Sequence, residues 1–332
     1  MSHFTTFIAV PSGEADYSLE GYIGSQLDPF CEGTEDPDYL EFHDKTEEIA
    51  RGYNSDTLDC VKMPGGKIVS LYNHHASGFA IKDGMVFQES AGPLKHNKRT
   101  KKAKKMLALT EYPMNKLYPT IERYAEDYCG YYYDEDHKAY GYHTNPNAFW
   151  DWYQIGGRWP FMFLVKTTCP DAIRGGYSWA TEGDSREAPE GYKWVAGARK
   201  SDIAWDAMKT LRIEASIPRF KLLEEAFKTG ILPDEPLLTI TEDGIASWGE
   251  MIYKKDETLE NYLERNELGP DCKYPVSAYS FLSDGEYCSR GDMGWWGISK
   301  NDKPEMAWQE ETQTFIDEID DDDFIVTIDC HI

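Results

Sequence analysis

Three side chains near the two ends of the chain are the first candidates for chemistry. His3 is the third residue, and Asp329 and His331 close the sequence two residues apart. If the first and last strands pair antiparallel in one sheet, the start of one lies beside the end of the other. Strand alternation then puts Asp329 and His331 on one face, with Phe324, Val326, Ile328 and Cys330 on the other, more apolar face. Two imidazoles and a carboxylate at a sheet edge suit general acid–base catalysis or a divalent metal ion. Solvated histidines on fraying terminal strands fit the same spacing.

A second set lies in residues 145–159, where Phe149, Trp150, Trp152, Tyr153 and Trp159 surround Gly156-Gly157-Arg158. The glycine pair permits positive φ and close backbone approach. Arg158 could hold a carboxylate or phosphate while stacking on a ring, or it could pair with Asp151 inside the fold. Residues 291–297 repeat the pattern, with Trp295 and Trp296 between glycines. The candidate ligand-binding residues are therefore Trp150, Trp152, Tyr153, Arg158, Trp159, Trp295 and Trp296. They would either stack a nucleobase-like ring in one aromatic cavity or fill a core, since both need the same residue types.

Other signals are weaker. Residues 95–105 carry seven Lys/Arg, which suits a solvated helix or phosphate contact. Direct nucleic-acid binding is not the expectation, because a partner for the protein's own acidic ends explains the run as well. His74-His75 lacks a spaced carboxylate, and His137 and His143 flank Tyr140-Gly141-Tyr142 without a decisive pattern. No serine elbow, HExxH, GxGxxG or P-loop motif occurs, so no enzymatic activity is assigned.

These residues need elements to position them. The apolar and β-branched residues 4–10 and 324–330 read as the first and last strands. Residues 11–40, rich in Gly, Asp and Pro, read as loop. One short helix is expected within 41–53, a basic helix over 95–109, and another helix over 119–128. Residues 161–165 read as a buried strand and 170–192 as a long loop. Helices are expected over 203–215, capped by Asp202, and over 218–229, ended by Gly230. Residues 276–289 read as a hairpin about Ser283-Asp284-Gly285, and 305–319 as a helix.

The irregular mixture predicts an α+β fold with a mainly antiparallel sheet, its terminal strands paired and helices packed on it. The 332 residues suit one large unit over 1–332, with a subdivision between 1–165 and 166–332 as the alternative. No apolar run is long enough to span a membrane, and the N-terminus lacks the pattern of a secretory signal. The seven cysteines are scattered without a CxxC pair, which favours reduced thiols in a cytoplasm.

The net charge of −25 is concentrated at the ends. Residues 1–60 hold 14 Asp/Glu against 2 Lys/Arg, and residues 301–332 hold 11 against 1, so the stretch between contributes only −3. Such ends provide solubility, or an acidic face for a basic partner.

The opening Met1-Ser2-His3-Phe4-Thr5, the block from Tyr142-His143-Thr144-Asn145-Pro146-Asn147 into Trp150-Asp151-Trp152-Tyr153-Gln154-Ile155-Gly156-Gly157-Arg158-Trp159, the stretches Asp284-Gly285-Glu286 and Gly294-Trp295-Trp296-Gly297, and the ending Asp329-Cys330-His331-Ile332 belong together. With them the chain resembles a group of uncharacterised proteins encoded mainly by bacteriophages and prophages. That group has no assigned activity, so no catalytic residue is carried over. The resemblance implies the setting of a cytoplasmic phage accessory protein that redirects or blocks a host protein, an anti-phage defence component included; the charge distribution makes the acidic ends the expected contact surface. The alternative is binding, sequestration or hydrolysis of a phosphorylated small molecule or nucleotide at the Trp/Arg158 motif, with His3, Asp329 and His331 supplying acid–base or metal chemistry. A looser analogy, to plasmid and phage domains with a Trp-Gly-Thr-Lys-Trp motif, implies a ferredoxin-like element with terminal strands paired.

Overall fold

The structure, a computed structural model, describes residues 2–62, 65–70, 79–82, 85–88, 107–177, 186–247, 250–294 and 297–332. Trp295, Trp296, His74, His75 and the basic run 95–105 lie outside the described residues. The chain forms two compact units. One joins Met1–Tyr39 to Asn147–Ile332, and the other is Leu40–Pro146. Unit boundaries therefore fall near 40 and 146 rather than at 165/166, because strands from both sequence halves share one sheet.

In chain order, the main elements of the first unit are β1 (His3–Val10), α1 (Ser12–Leu27), β2 (Trp152–Gly157), β3 (Phe163–Lys166), β4 (Tyr192–Val195), β5 (Gly197–Arg199), α2 (Trp205–Thr229), β6 (Ser280–Ser283), β7 (Glu286–Ser289), α3 (Glu305–Glu318) and β8 (Phe324–His331). As expected, the fold is α+β, with mostly antiparallel pairing and the terminal strands side by side. The central strand β8 pairs with β1 on one side, in register from His3↔His331 to Val10↔Phe324. On its other side, β2 covers residues 328–331 and β5 covers 324–326. β1 continues the sheet through a parallel pairing with β6, which forms the expected hairpin with β7. In a ferredoxin-like element another strand would separate the parallel pair, but here β1 and β6 are adjacent, so the analogy holds only for the paired termini.

All eight residues of β8 are buried, so both faces of the sheet must be covered. One face carries Phe7, Ala9, Phe281 and Ile325 and packs against Trp308 and Ile316 of α3 and Met208 of α2. The other carries Phe4, Ile8, Val10, Phe324, Val326, Ile328 and Cys330, packed on Ile23 and Leu27 of α1. Residues expected to be loop are helical on either side of a break at Ser18 (φ −164°, ψ 96°), and Ile23 and Leu27, one turn apart in the second segment, enter the core together.

The two helices expected on either side of Pro218 are one helix, α2. Proline removes one backbone donor. Burial of Met208 before it and Phe220, Leu223 and Ala226 after it anchors both halves. Gly230 ends the helix at φ 74°, as expected.

In the second unit, residues 41–53 split into the strand Glu41–Asp44 and the helix Thr46–Ser55. The strand pairs with Ala139–Thr144, which also pairs with Tyr132–Asp134, making a three-stranded sheet. The helix expected over 119–128 is a short α-helix, Ile121–Tyr124, continuing into a π turn. Residues 107–109, expected to end a basic helix, open the strand Leu107–Pro113.

Trp308 concentrates the packing of the first face. It is 1% exposed, stacks on Phe281 at 4.5 Å and donates its indole N–H to Ala278 O at 2.8 Å. Trp308→Ala should cost about 3–5 kcal/mol of stability, measured by urea unfolding at neutral pH. A loss below 1 kcal/mol would mean that the pocket collapses around the missing ring.

Candidate functional site

The β1–β8 register decides which polar residues meet. Its alternation puts His3 and Thr5 of β1 on the same face as Asp329 and His331 of β8, and the β2 register adds Trp152 and Gln154. This is the face that carries Phe7, Ala9 and Ile325 further along the strands. One surface of the sheet thus changes from apolar to polar along its length, and the polar end holds the expected trio.

Asp329 is fully buried, and both of its carboxylate oxygens are engaged. Oδ1 lies 2.7 Å from His3 Nδ1, and Oδ2 accepts from the Arg158 backbone N–H at 2.9 Å. A buried carboxylate requires such donors, since desolvation without them is prohibitive. The second bond depends on the glycine pair. Gly156 and Gly157 have φ of 77° and 50°, and the Trp159 N–H closes the turn on Gly156 O at 2.7 Å. Any Cβ at Gly157 would overlap the Asp329 side chain. The glycines therefore bring the backbone onto the carboxylate, which is close approach used for internal satisfaction.

His331 has a separate carboxylate, its Nδ1 lying 2.6 Å from Asp151 Oδ1. The Asp151 backbone N–H also donates to His331 O at 2.9 Å. An ionised carboxylate only accepts hydrogen bonds. Each ring therefore donates from Nδ1 to its carboxylate, and its Nε2 points away from that contact. The two rings are 4.7 Å apart at 76°, and Trp152 stacks on His331 at 4.8 Å and 18°. Trp152 remains 42% exposed and meets His3 edge-on at 5.5 Å. The arrangement is two carboxylate-paired imidazoles, 5% and 7% exposed, beneath a partly exposed indole.

The aromatic candidates do not share one face. Trp150 is 1% exposed and packs against Phe4, Phe30 and Tyr287 on the opposite side of the sheet. Tyr153 faces the same way, opposite Cys330. Burial pushes the Tyr153 hydroxyl and the Cys330 thiol up from their ordinary pKa values. Trp150 and Tyr153 are thus core residues, whereas Trp152 belongs with the histidines, and Arg158 and Trp159 are half-buried at the following turn. Gly297 lies beside Ser2, so the end of the second glycine–tryptophan stretch reaches the polar end of β1.

The divalent-metal reading of His3, Asp329 and His331 would require Asp329 to release donors that it holds inside the fold. Among the described residues, one group brings three metal-ligating atoms within 4.8 Å of one another, and it is Asp134, His137 and His143 of the second unit. Sequence reasoning also missed Asp151 as the partner of His331. The signal was only that Asp151 directly precedes β2, whose first residue lies opposite His331.

Asp329→Ala leaves the His3 Nδ1–H and the Arg158 N–H without their buried acceptor. It should cost about 3–5 kcal/mol, and Asp329→Asn should cost less because it retains an acceptor oxygen. Gly157→Ala should destabilise comparably to Asp329→Ala by forcing the same carboxylate away. Urea unfolding of the three variants checks this order, and an unaffected Gly157→Ala would contradict the close approach.

No family model, curated protein or solved structure matches this chain, so the character of the site rests on its own geometry.

Proposed function

We propose that the protein acts by binding, as a phage-encoded accessory factor in the host cytoplasm that modulates or inhibits a host protein, an anti-phage defence component included. The observation that carries this reading is the convergence of the two acidic ends. Because Val10 lies opposite Phe324, the segment leaving β1 adjoins the segment entering β8. The Ser12 N–H donates to Asp323 Oδ1 at 2.7 Å and ties the two together. Arg199 lies 3.6 Å from Asp16 and donates to Asp322 O at 2.8 Å.

Around this junction Glu14, Asp16, Glu20, Asp320, Asp321 and Asp322 are exposed. Asp16 is 76% and Asp321 82% exposed, so Arg199 and Lys200 neutralise the surface only in part. Tyr17 stands among these carboxylates at 92% exposure. An aromatic anchor inside a charged rim is the composition of an interaction hot spot, and the charge would steer a basic partner. Among the described residues no helix is long and apolar enough to cross a membrane, which agrees with a reading that needs no membrane.

A second reading rests on the paired imidazoles: binding, sequestration or hydrolysis of a phosphorylated small molecule or nucleotide against Trp152 and Arg158. The accessible indole beside two oriented histidines is its support.

The two readings separate in one set of measurements. The tagged wild type, Asp16→Lys/Asp321→Lys and Tyr17→Ala are used to capture partners from infected or host-like cells, with proteins and small molecules identified by mass spectrometry. The binding reading expects a stoichiometric protein partner that both variants lose. Its affinity should fall steeply between low and high salt. A partner retained by both variants, or binding indifferent to salt, would refute the acidic surface. The second reading expects a co-purifying nucleotide that Arg158→Ala loses while its fold, followed by circular dichroism, is preserved. An unfolded Arg158→Ala chain or unchanged nucleotide content would remove that support.

A further inference from the structure

The geometry points to a divalent transition-metal site on the second unit, formed by Asp134, His137 and His143, with Zn2+ as the ion its donors suit. All three come from one hairpin. Asp134 ends the strand Tyr132–Asp134, His137 lies in the connecting turn, and His143 is in the return strand Ala139–Thr144. The register pairs Asp134 with Ala139 and Tyr132 with Gly141. Alternation therefore puts Tyr132, Asp134, Gly141 and His143 on one face, with Phe42 of the neighbouring strand opposite His143.

The turn fixes the carboxylate. Asp134 Oδ1 accepts from the backbone N–H of Asp136 at 3.0 Å and of His137 at 2.8 Å, and lies 2.8 Å from His137 Nδ1. The two backbone donors fix the orientation of the Asp134 carboxylate towards the turn. Asp134 Oδ2 lies 4.0 Å from His143 Nε2. Zinc with bonds of about 2.0–2.2 Å separates tetrahedral ligands by about 3.3 Å. One ligand atom from each of the three residues lies within 4.8 Å of the others, so side-chain rotation has to close the wider separations around the ion.

The outer partners are also in place. The Tyr132 hydroxyl oxygen accepts from the His143 backbone N–H at 3.0 Å and lies 2.5 Å from His143 Nδ1. That contact commits Nδ1 and turns Nε2 towards Asp134, as an outer-shell partner does for a ligating histidine. The His137 ring stacks on Phe42 at 4.4 Å and 15°, which restricts its rotation. In the bound state His137 carries its proton on Nε2 and gives the Nδ1 lone pair to the ion. Two imidazoles and one carboxylate form a borderline donor set that suits Zn2+ better than Mg2+ or Ca2+. His137 and His143 are partly solvent-exposed, so the remaining coordination position opens to water or to a donor from another molecule.

The test is titration of the full, chelator-treated chain with Zn2+ against a chromophoric chelator. The wild type should take up one competing equivalent. His137→Ala and His143→Ala should each abolish it, and Tyr132→Phe should weaken it by about 10- to 100-fold. Asp134→Asn keeps an acceptor for the turn but lowers the ligand charge, so it should lose Zn2+ while its metal-free circular dichroism matches the wild type. His74→Ala/His75→Ala should bind as the wild type does. The site is refuted if the wild type takes up no stoichiometric Zn2+, if His137→Ala/His143→Ala retains the equivalent, or if the His74/His75 variant loses it.

Discussion

The antiparallel pairing of the first and last strands is the constraint on which the first unit depends. Joining residues so far apart in sequence costs loop-closure entropy, although that cost grows only slowly with length. Burial on both faces of the sheet offsets it. The alternation is strict, with Phe4, Ile8, Val326 and Ile328 in one core and Phe7, Ala9 and Ile325 in the other. A one-residue slip would exchange the two sets and drive Asp329 and His331 into the packing around α1. The pairing therefore determines the fold and also which groups can meet at each end.

The ends of that ladder have opposite characters. At one, His3, Asp329 and His331 share a face with Trp152, and the buried carboxylate is held by an imidazole and a backbone N–H. At the other, the exit of β1 and the entry of β8 bring acidic segments together around Arg199. Like charges so close repel, yet the geometry of the central strands requires the proximity. High exposure moderates the repulsion through solvent and salt.

The Trp-Asp-Trp-Tyr stretch serves two sides of one sheet. Trp150 and Tyr153 fill the core beneath α1, while Asp151 and Trp152 hold His331 on the opposite face. Gly156 and Gly157 then fold the backbone back over Asp329. Aromatic density in the sequence marks a junction between core and polar site rather than a single cavity. In the second unit, a hairpin turn and one strand face bring Asp134, His137 and His143 together by local geometry alone.

Period-two alternation of β-branched and aromatic residues determined the terminal strands, and with them the α+β class and the shared face of Asp329 and His331. The turn residues Asp284-Gly285 likewise determined the hairpin between β6 and β7. These features are local and carry their own conformational preference. Tertiary packing decided what local preference leaves open. It fixed the helical segment after Ser18 by burying Ile23 and Leu27, and it carried α2 through Pro218 by anchoring both halves. Register placed Trp152 opposite His331, and the bend at Asp151 brought that carboxylate to His331 while leaving Trp150 on the opposite face. Those outcomes depend on which distant strand lies alongside, and no spacing within residues 145–159 contains that information.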